Sequence, residues 1–438
     1  MKVLKFGGTS VGNAERMKAL VPLILNGDQK IVVLSAMAGT TNKLVEIVES
    51  LKASDSGTAQ IVSGDLRKQY YNVSKELFKT EEWRLKAVEI IDFHFDYLDR
   101  FQSEEFSTKH EKAILAQGEL LSTTIFHFYL MERGIESALI PALSFMRIDK
   151  DGEPDYFYIS ENILRQLKKA GDAQIIITQG FICRNAYGDI DNLKRGGSDY
   201  SASIIGAVLG AQEIQIWTDI SGFHNNDPRY VAGTSVIREL SFDEAAELAY
   251  FGAKILHPST IIPACEKNIP VILKNTLEPE DPGTIITTVT KPEDYKAVAA
   301  KDGITVLRIT SDRMLLAYGF IRKVFEIFEV YKTPIDMIAT SEVSVSLTTD
   351  FTDNLQEIER ELSRLGTVEI ESNQTIICIV GDFRTEKTGS APEIFEALNS
   401  LPVKMISYGA SRNSISILVD GKHKIEALKS LHKYLFAS

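Results

Sequence analysis

The strongest constraint on this chain is a series of short apolar runs rich in Val and Ile. They are "KVLKF" from Lys2, "IVVLS" from Ile31, "QIIIT" from Gln174, "EIQIW" from Glu213 and "PVILK" from Pro270. Continuous runs of this kind suit strands covered on both faces. Between them lie stretches with helical spacing. In the first, Met17, Leu20, Val21, Ile24 and Leu25 recur on one face, and Pro22 is expected to weaken or kink the helix. Alternating strands and helices imply an α/β fold, a mostly parallel sheet sandwiched by helices. Ligands of such sheets sit beyond the carboxyl ends of the strands, so those ends are where chemistry is expected.

The pattern changes near residue 300. "TKPEDYKAVAAKDG" (Thr290–Gly303) reads as a polar connection, which divides the chain into domains at 1–295 and 303–438. Beyond it the sequence repeats. Val324–Asp350 resembles Ile394–Asp420, with Pro334-Ile-Asp-Met-Ile matching Pro402-Val-Lys-Met-Ile. Each copy reads as helix, strand, turn and alternating strand, followed by a further helix-period segment. With the preceding "ITVLRI" and "TIICIV", this gives two βαββαβ units of α+β, ferredoxin-like type.

Composition narrows the function. The chain has 438 residues, 44% hydrophobic and 25% charged, with a formal net charge of −12. That charge argues against nucleic acid as a partner and leaves room for a small anion held by a local cation cluster. Cys183, Cys265 and Cys378 are far apart and form no CxxC pattern, so neither a disulfide framework nor a zinc site is expected. No secretory signal pattern and no run long enough for a membrane span is present, and a cytoplasmic location is expected.

Polar clusters follow the apolar runs. Lys5 closes the first run and precedes Gly7-Gly8. It is not the Walker loop, in which the lysine follows the glycines. "SAMAGTTNKL" (Ser35–Leu44) follows the second run, and glycine with hydroxyls before a helix makes an anion site. Glu119 opens an apolar helical stretch. "KRGGSDYSA" (Lys194–Ala202) sets Arg195 ahead of two glycines, Ser198 and Asp199. "WTDISGFHNNDPR" (Trp217–Arg229) gathers Thr218, Asp219, Asp227 and Arg229, and "FGAKILHP" carries Lys254. Each has a plain alternative: a turn for Gly-Gly and Asp-Pro, a solvated strand end for Lys5, a dipole-complementing first-turn acid for Glu119. Cys183, His127 and His257 read as structural. The clusters weigh together because they follow strands of one sheet and mix cations with acids. That mixture suits a phosphate ligand beside a zwitterionic one.

In their order and spacing, "KFGGTSVG", "VVLSAMAGTTN", "GEL", "KRGGSDYSA", "WTDISGF", "NDPR", "FGAKILHP" and "TSEVSVSL" resemble the aspartate kinases, over essentially the whole chain. The resemblance implies an amino acid kinase fold followed by a pair of ACT domains, one inserted into the other. It implies transfer of the ATP γ-phosphoryl group to the β-carboxylate of L-aspartate, giving 4-phospho-L-aspartate, the first step towards lysine (diaminopimelate), threonine and methionine. By resemblance, Lys5, Arg195 and Asp199 are catalytic. Gly7, Gly8, Thr218, Asp219, His224, Arg229, Lys254 and Ile255, with Lys5, contact nucleotide. Ser35, Thr41, Glu119, Arg195, Ser198 and Asp199 line the aspartate pocket. Mg²⁺ is expected through the ATP phosphates, with no dedicated protein cage.

The resemblance further implies feedback inhibition by lysine, bound along Met314, Gly319, Phe320, Ile321, Asp336, Thr340, Ser341 and Glu342 of the first copy. The second copy has Lys404 where the first has Asp336, a like charge for an ammonium. A homodimer or higher homo-oligomer through the ACT units is expected. Two other classes are weighed: a kinase of the same fold with another substrate, which the ACT pair and "KRGGSDYSA" disfavour, and a catalytically dead amino-acid sensor, which the intact Lys5, Glu119, Arg195 and Asp219 disfavour.

Overall fold

Each apolar run of the first part forms a strand. With two further short strands they build the first unit's main sheet: β1 (Lys2–Phe6), β2 (Lys30–Leu34), β3 (Ser137–Leu139), β4 (Ile175–Gln179), β5 (Ile214–Thr218), β6 (Val271–Asn275) and β7 (Thr284–Thr287). The structure is a computed structural model that describes all residues except 26, 102–105, 194–195, 253–254, 315–317, 385–388 and 437–438. The chain divides into two units, Met1–Gly222 with Leu256–Val289, and Phe223–Ile255 with Thr290–Ser438.

In the first unit the strands lie in the order β3-β4-β2-β1-β5-β6-β7. All these neighbours are parallel except β6 and β7. β2 is buried along its whole length, as its unbroken apolar sequence requires. The register is level: Phe6 lies opposite Leu34 and Trp217, and Leu34 opposite Gln179. The polar residues that follow these runs therefore emerge on one edge. The α/β expectation with a mostly parallel sheet is met.

The first helix, Ala14–Ile24, runs through Pro22 and buries Met17, Leu20, Val21 and Ile24. Leu25 does not join that face. It caps the helix, its N–H bonded to the Val21 carbonyl, and its side chain is half exposed. Pro22 lies in the last turn, where it removes one intrahelical bond, the one its N–H would make to the Lys18 carbonyl.

The second unit holds an antiparallel sheet of β8 (Ala297–Thr310), β9 (Ile338–Thr340), β10 (Ser344–Thr349), β11 (Thr367–Val380), β12 (Val403–Ser407) and β13 (Ser414–Asp420), in the order β9-β10-β8-β11-β13-β12. Two cores lie against it. Leu307, Ile309, Phe320, Val324, Phe328, Val345, Leu347, Ile358 and Leu362 form one. Val298, Ile377, Ile379, Ile394, Ile415, Ile417 and Leu428 belong to the other. Each copy thus has its own centre, as the repeat implies.

One expectation is corrected here. Thr290–Gly303 is not a polar connection throughout, since Ala297–Lys301 pairs with Ile376–Val380 and forms the first part of β8. The residues are small, Ala297, Val298 and Ala299, and lie between lysines, so the segment lacks the bulky apolar signature of a buried strand. Its consequence is topological. The second copy closes its sheet with a strand that precedes the first copy, and the first copy is inserted into the second. β8 and β11 each run for 14 residues and serve both copies, with register shifts between Lys301 and Val306 where one copy gives way to the other.

A buried ion pair ties helix Phe242–Tyr250 to this sheet. Lys296 Nζ lies 2.9 Å from Glu244 Oε2 and 3.0 Å from the Thr290 hydroxyl. With both charges out of water, loss of one partner is costly because it strands the other.

Val298 is 2% exposed within the second copy's core. Val298→Ala is expected to cost about 1–3 kcal/mol, read as a fall of roughly tenfold or more in hydrogen-exchange protection of Ser414–Asp420. A residue in a mere connection would leave that protection unchanged.

Candidate active site

Period-two alternation along β1 sends Leu4 and Phe6 to one face of the sheet and Val3 and Lys5 to the other. Leu4 and Phe6 join Val32, Leu34, Ile175, Ile177 and Trp217 in the core that also takes the buried face of helix Gln117–Glu132. Helix Gly197–Leu209 packs against β1, β2 and β5, and its first turn carries Asp199. Lys5 Nζ lies 2.7 Å from Asp199 Oδ1, with the two side chains 11% and 14% exposed. The contact is an ion pair, and Asp199 Oδ1 accepts no hydrogen bond among the described residues. Among the described residues, Lys5 is a mostly buried cation with Asp199 as its ion-pair partner at a strand end.

The loops after β1 and β2 are laced together. The Ser35 N–H donates to the Phe6 carbonyl (3.2 Å) and the Ala38 N–H to the Gly8 carbonyl (3.1 Å). Gly7 donates to the Trp217 carbonyl at 3.2 Å, which links the same turn to the end of β5. Two other glycines permit close approach. A Cβ on Gly118 would lie 2.7 Å from the Ala36 Cβ, and one on Gly180 would lie 2.6 Å from the Ser198 Cβ. No side chain fits at either position, so the start of helix Gln117–Glu132 seats on the β2 loop and the end of β4 on Ser198.

That seating buries Glu119, which is 4% exposed. Its Oε1 accepts from the Ala36 N–H at 3.2 Å, while its Oε2 has no hydrogen-bond partner among the described residues. Burial is the largest influence and pushes the carboxyl up to about 8, against the Ala36 hydrogen bond and the charge of Lys5. Beside it, the Ser122 hydroxyl donates to the Ser35 carbonyl at 2.8 Å. Thr41 is exposed in the first turn of helix Thr40–Lys52. The buried Tyr70 fixes that turn through a 3.1 Å bond between its hydroxyl and that of Thr40. At the end of β5, the Thr218 carbonyl accepts from the Thr276 N–H at 2.8 Å, and the Thr218 hydroxyl donates to Asp219 at 3.1 Å.

The first unit thus gathers Lys5, Gly7, Gly8, Ser35, Glu119, Ser198 and Asp199 around the ends of β1, β2 and β4, with Thr218 and Asp219 at the end of adjacent β5. Arg195 and Lys254 lie outside the described residues. His224, Arg229 and Ile255 belong to the second unit. There His224 Nδ1 lies 3.2 Å from the Thr234 hydroxyl, and the exposed Arg229 grips Asp227 through Nε (2.9 Å to Oδ1) and Nη2 (2.7 Å to Oδ2). Sequence reasoning passed over Gly180, Gln179 and Tyr70, and took in Gly118 within "GEL" without giving it a role. Gln179 is buried, accepts from the Ala142 N–H at 2.7 Å and donates to the Thr123 hydroxyl at 2.7 Å. The signal for Gln179-Gly180 was present: a polar residue and a glycine closing an apolar run, as in Lys5 to Gly7. Tyr70 carries no such signal, being one aromatic on an amphipathic helix.

The proposed effector residues also lie in the second unit. Gly319 starts helix Phe320–Val330, and Thr340, Ser341 and Glu342 are exposed at the turn between β9 and β10. Asp336 has a fully buried carboxylate. Lys301 Nζ lies 2.8 Å from it and 3.0 Å from Asp350, and the Tyr250 hydroxyl donates to Asp336. In the second copy Lys404 pairs with Glu371. Sequence reasoning missed Lys301 because it lay in the segment read as a connection.

Comparison with known proteins shows the family of the chain. The amino acid kinase family model matches residues 1–275, and an ACT domain model matches residues 377–435. The lysine-sensitive aspartokinase 3 of Escherichia coli is 34% identical, with 99% of each chain covered. The chloroplastic aspartokinase 3 of Arabidopsis thaliana is also 34% identical, covering 99% of this chain and 81% of that one. Among solved structures, E. coli aspartokinase III in complex with aspartate and ADP superposes with a TM-score of 0.86 at 33% identity, covering 100% of both chains. The same enzyme in complex with lysine and aspartate gives 0.81 at 33% identity, covering 100% of this chain and 99% of that one. The chain belongs to the amino acid kinase family and, within it, to the aspartokinases.

Proposed function

We propose that the strand-end site of the first unit binds ATP and L-aspartate and transfers the γ-phosphoryl group to the aspartate β-carboxylate. The observation that carries this reading is a mostly buried ammonium, Lys5, beside a buried carboxyl with an open oxygen, Glu119, at one sheet edge. The first suits a phosphoryl oxygen and the second an amino group. The nucleophile is a carboxylate, already ionised at neutral pH, so no general base is required. The barrier lies in bringing an anion up to a polyanion, and positioning with charge neutralisation lowers it.

Lys5 does the neutralising. Asp199 holds its ammonium at the strand end, leaving donors for phosphoryl oxygens, and Gly7 and Gly8 let the backbone approach them. Glu119 receives the substrate ammonium, with Ser35, Thr41 and Ser198 around it. Arg195 grips a substrate carboxylate, an assignment that rests on the sequence match, as do the nucleotide roles of His224, Arg229, Lys254 and Ile255. Mg²⁺ would come with the nucleotide and be held through its phosphate oxygens. Bound there, it would screen phosphate charge.

In the second unit the effector is lysine, bound to the first copy, and the protein assembles as a homo-oligomer through the ACT units. An effector ammonium arriving at Asp336 takes the place of Lys301.

Lys5→Met is expected to fold and to lose about 10²–10³ in kcat, measured as aspartate-dependent ADP release. Retention of more than about a third of wild-type turnover would remove Lys5 from the transition state. Lysine at millimolar concentration is expected to inhibit. Asp336→Ala should raise the inhibitory concentration at least about tenfold, or roughly 1.4 kcal/mol, with Lys404→Ala near wild type; the reverse pattern would put the effector in the other copy. Light scattering should find a dimer or larger at micromolar concentration.

A further inference from the structure

We infer that Glu119 is a proton-exchange site: it is protonated in the empty enzyme and gives its proton to solvent when the ammonium of aspartate arrives. The inference rests on the proposed placement of that ammonium and adds a linked equilibrium to it.

The argument begins with what faces the carboxyl. Among the described residues, Glu119 Oε1 accepts from the Ala36 N–H, the Glu119 backbone N–H adds a smaller pull towards the charged form, and Oε2 is buried with no hydrogen-bond partner. Lys5, from β1, is the described cation that bears on it, and that ammonium is drawn to Asp199 at 2.7 Å. Tyr70, from helix Ser56–Leu77, adds a neutral phenol whose hydroxyl is turned to Thr40 and whose own ionisation is suppressed by burial. Helix Gly197–Leu209 contributes Asp199, an anion. A carboxylate that has only backbone N–H donors, an oxygen without a partner and a cation engaged elsewhere among the described residues is costly to keep out of water. Holding a proton removes that cost, and the raised value of about 8 agrees.

The arriving ligand reverses the balance. A substrate ammonium carries a full charge and three donors, and Glu119 Oε2 is an acceptor without a donor. An opposite charge in contact favours the ionised carboxyl. The step balances simply: protonated Glu119 and the ammonium of aspartate become a carboxylate–ammonium pair, and one proton leaves to buffer. Product departure returns a proton to Glu119.

The sign with pH follows. Release is nearly complete between the lower value of the filled site and the raised value of the empty one, and it vanishes above the latter, because the empty site is then already ionised. With a value of about 8, aspartate binding releases about nine-tenths of a proton at pH 7, about half at pH 8 and little above pH 9. Aspartate affinity therefore rises with pH over that window, by up to roughly tenfold per unit at its acid end.

The test is calorimetry of aspartate binding to the full chain, in buffers of differing ionisation enthalpy, at pH 7, 8 and 9. The expected result is a buffer-dependent heat at pH 7 that fades by pH 9. Glu119→Gln should bind aspartate more weakly, and whatever binding survives should be independent of buffer. Because that variant can fall below detection, infrared spectroscopy supplies a second reading. The carbonyl stretch of a protonated carboxylic acid should be present in empty wild type at pH 7, absent in Glu119→Gln, and lost when aspartate is added. Tight binding with no buffer dependence at pH 7, or no such infrared band, overturns proton exchange and leaves the ammonium placement standing. Wild-type affinity in Glu119→Gln overturns the placement itself.

Discussion

Parallel pairing imposes one condition from which the site follows: neighbouring strands end on the same side. With Phe6 level with Leu34 and Trp217, and Leu34 level with Gln179, the chain leaves the sheet at closely grouped points. Each exit must turn, and each turn carries backbone groups that the sheet no longer satisfies. The cross-links from Ser35 to Phe6, Ala38 to Gly8 and Gly7 to Trp217 meet that need. They also make the exits rigid with respect to one another. A lysine and a glutamate placed on such exits keep their positions without help from a ligand, which is what preorganised charge stabilisation requires.

That arrangement works against stability. Among the described residues, Glu119 is enclosed with an oxygen unanswered, and Lys5 is largely removed from water with one ion pair to Asp199. Neither choice would survive selection for the folded state alone, since an apolar residue at either position would cost less to bury. Such local conflicts mark sites where the fold has been held in tension for use.

Much of this was legible in sequence, and the limits have physical causes. The parallel sheet was readable because continuous Val and Ile runs have one common interpretation. The repeat was readable because Pro334 to Ile338 and Pro402 to Ile406 match in both chemistry and spacing. Ala297–Lys301 was not, because small side chains between lysines look like a linker until a partner strand covers them. Lys5 and Glu119 were visible as charges next to strand exits. Their burial was not, since it depends on Gly118 and Gly180, whose significance lies in atoms that approach from distant parts of the chain. The Lys301 contact with Asp336 was invisible for the same reason, as it joins two segments through a strand whose existence was missed.

The shared strands β8 and β11 have a consequence for synthesis. Ribosomes deliver a chain from its amino end, and units fold as they emerge. The first ACT copy is continuous, so it can close as soon as Thr367–Gln374 appears. Once it has, Ala297–Lys301 and Ile376–Val380 extend from it side by side as a short ready-made ladder. The second copy, although split in sequence, then begins from a paired nucleus, and the entropy of joining its distant pieces has already been met by its neighbour. The inserted copy acts as the jig on which its host is assembled, so errors in its own closure propagate to the 64 residues that follow Gln374 in this sequence.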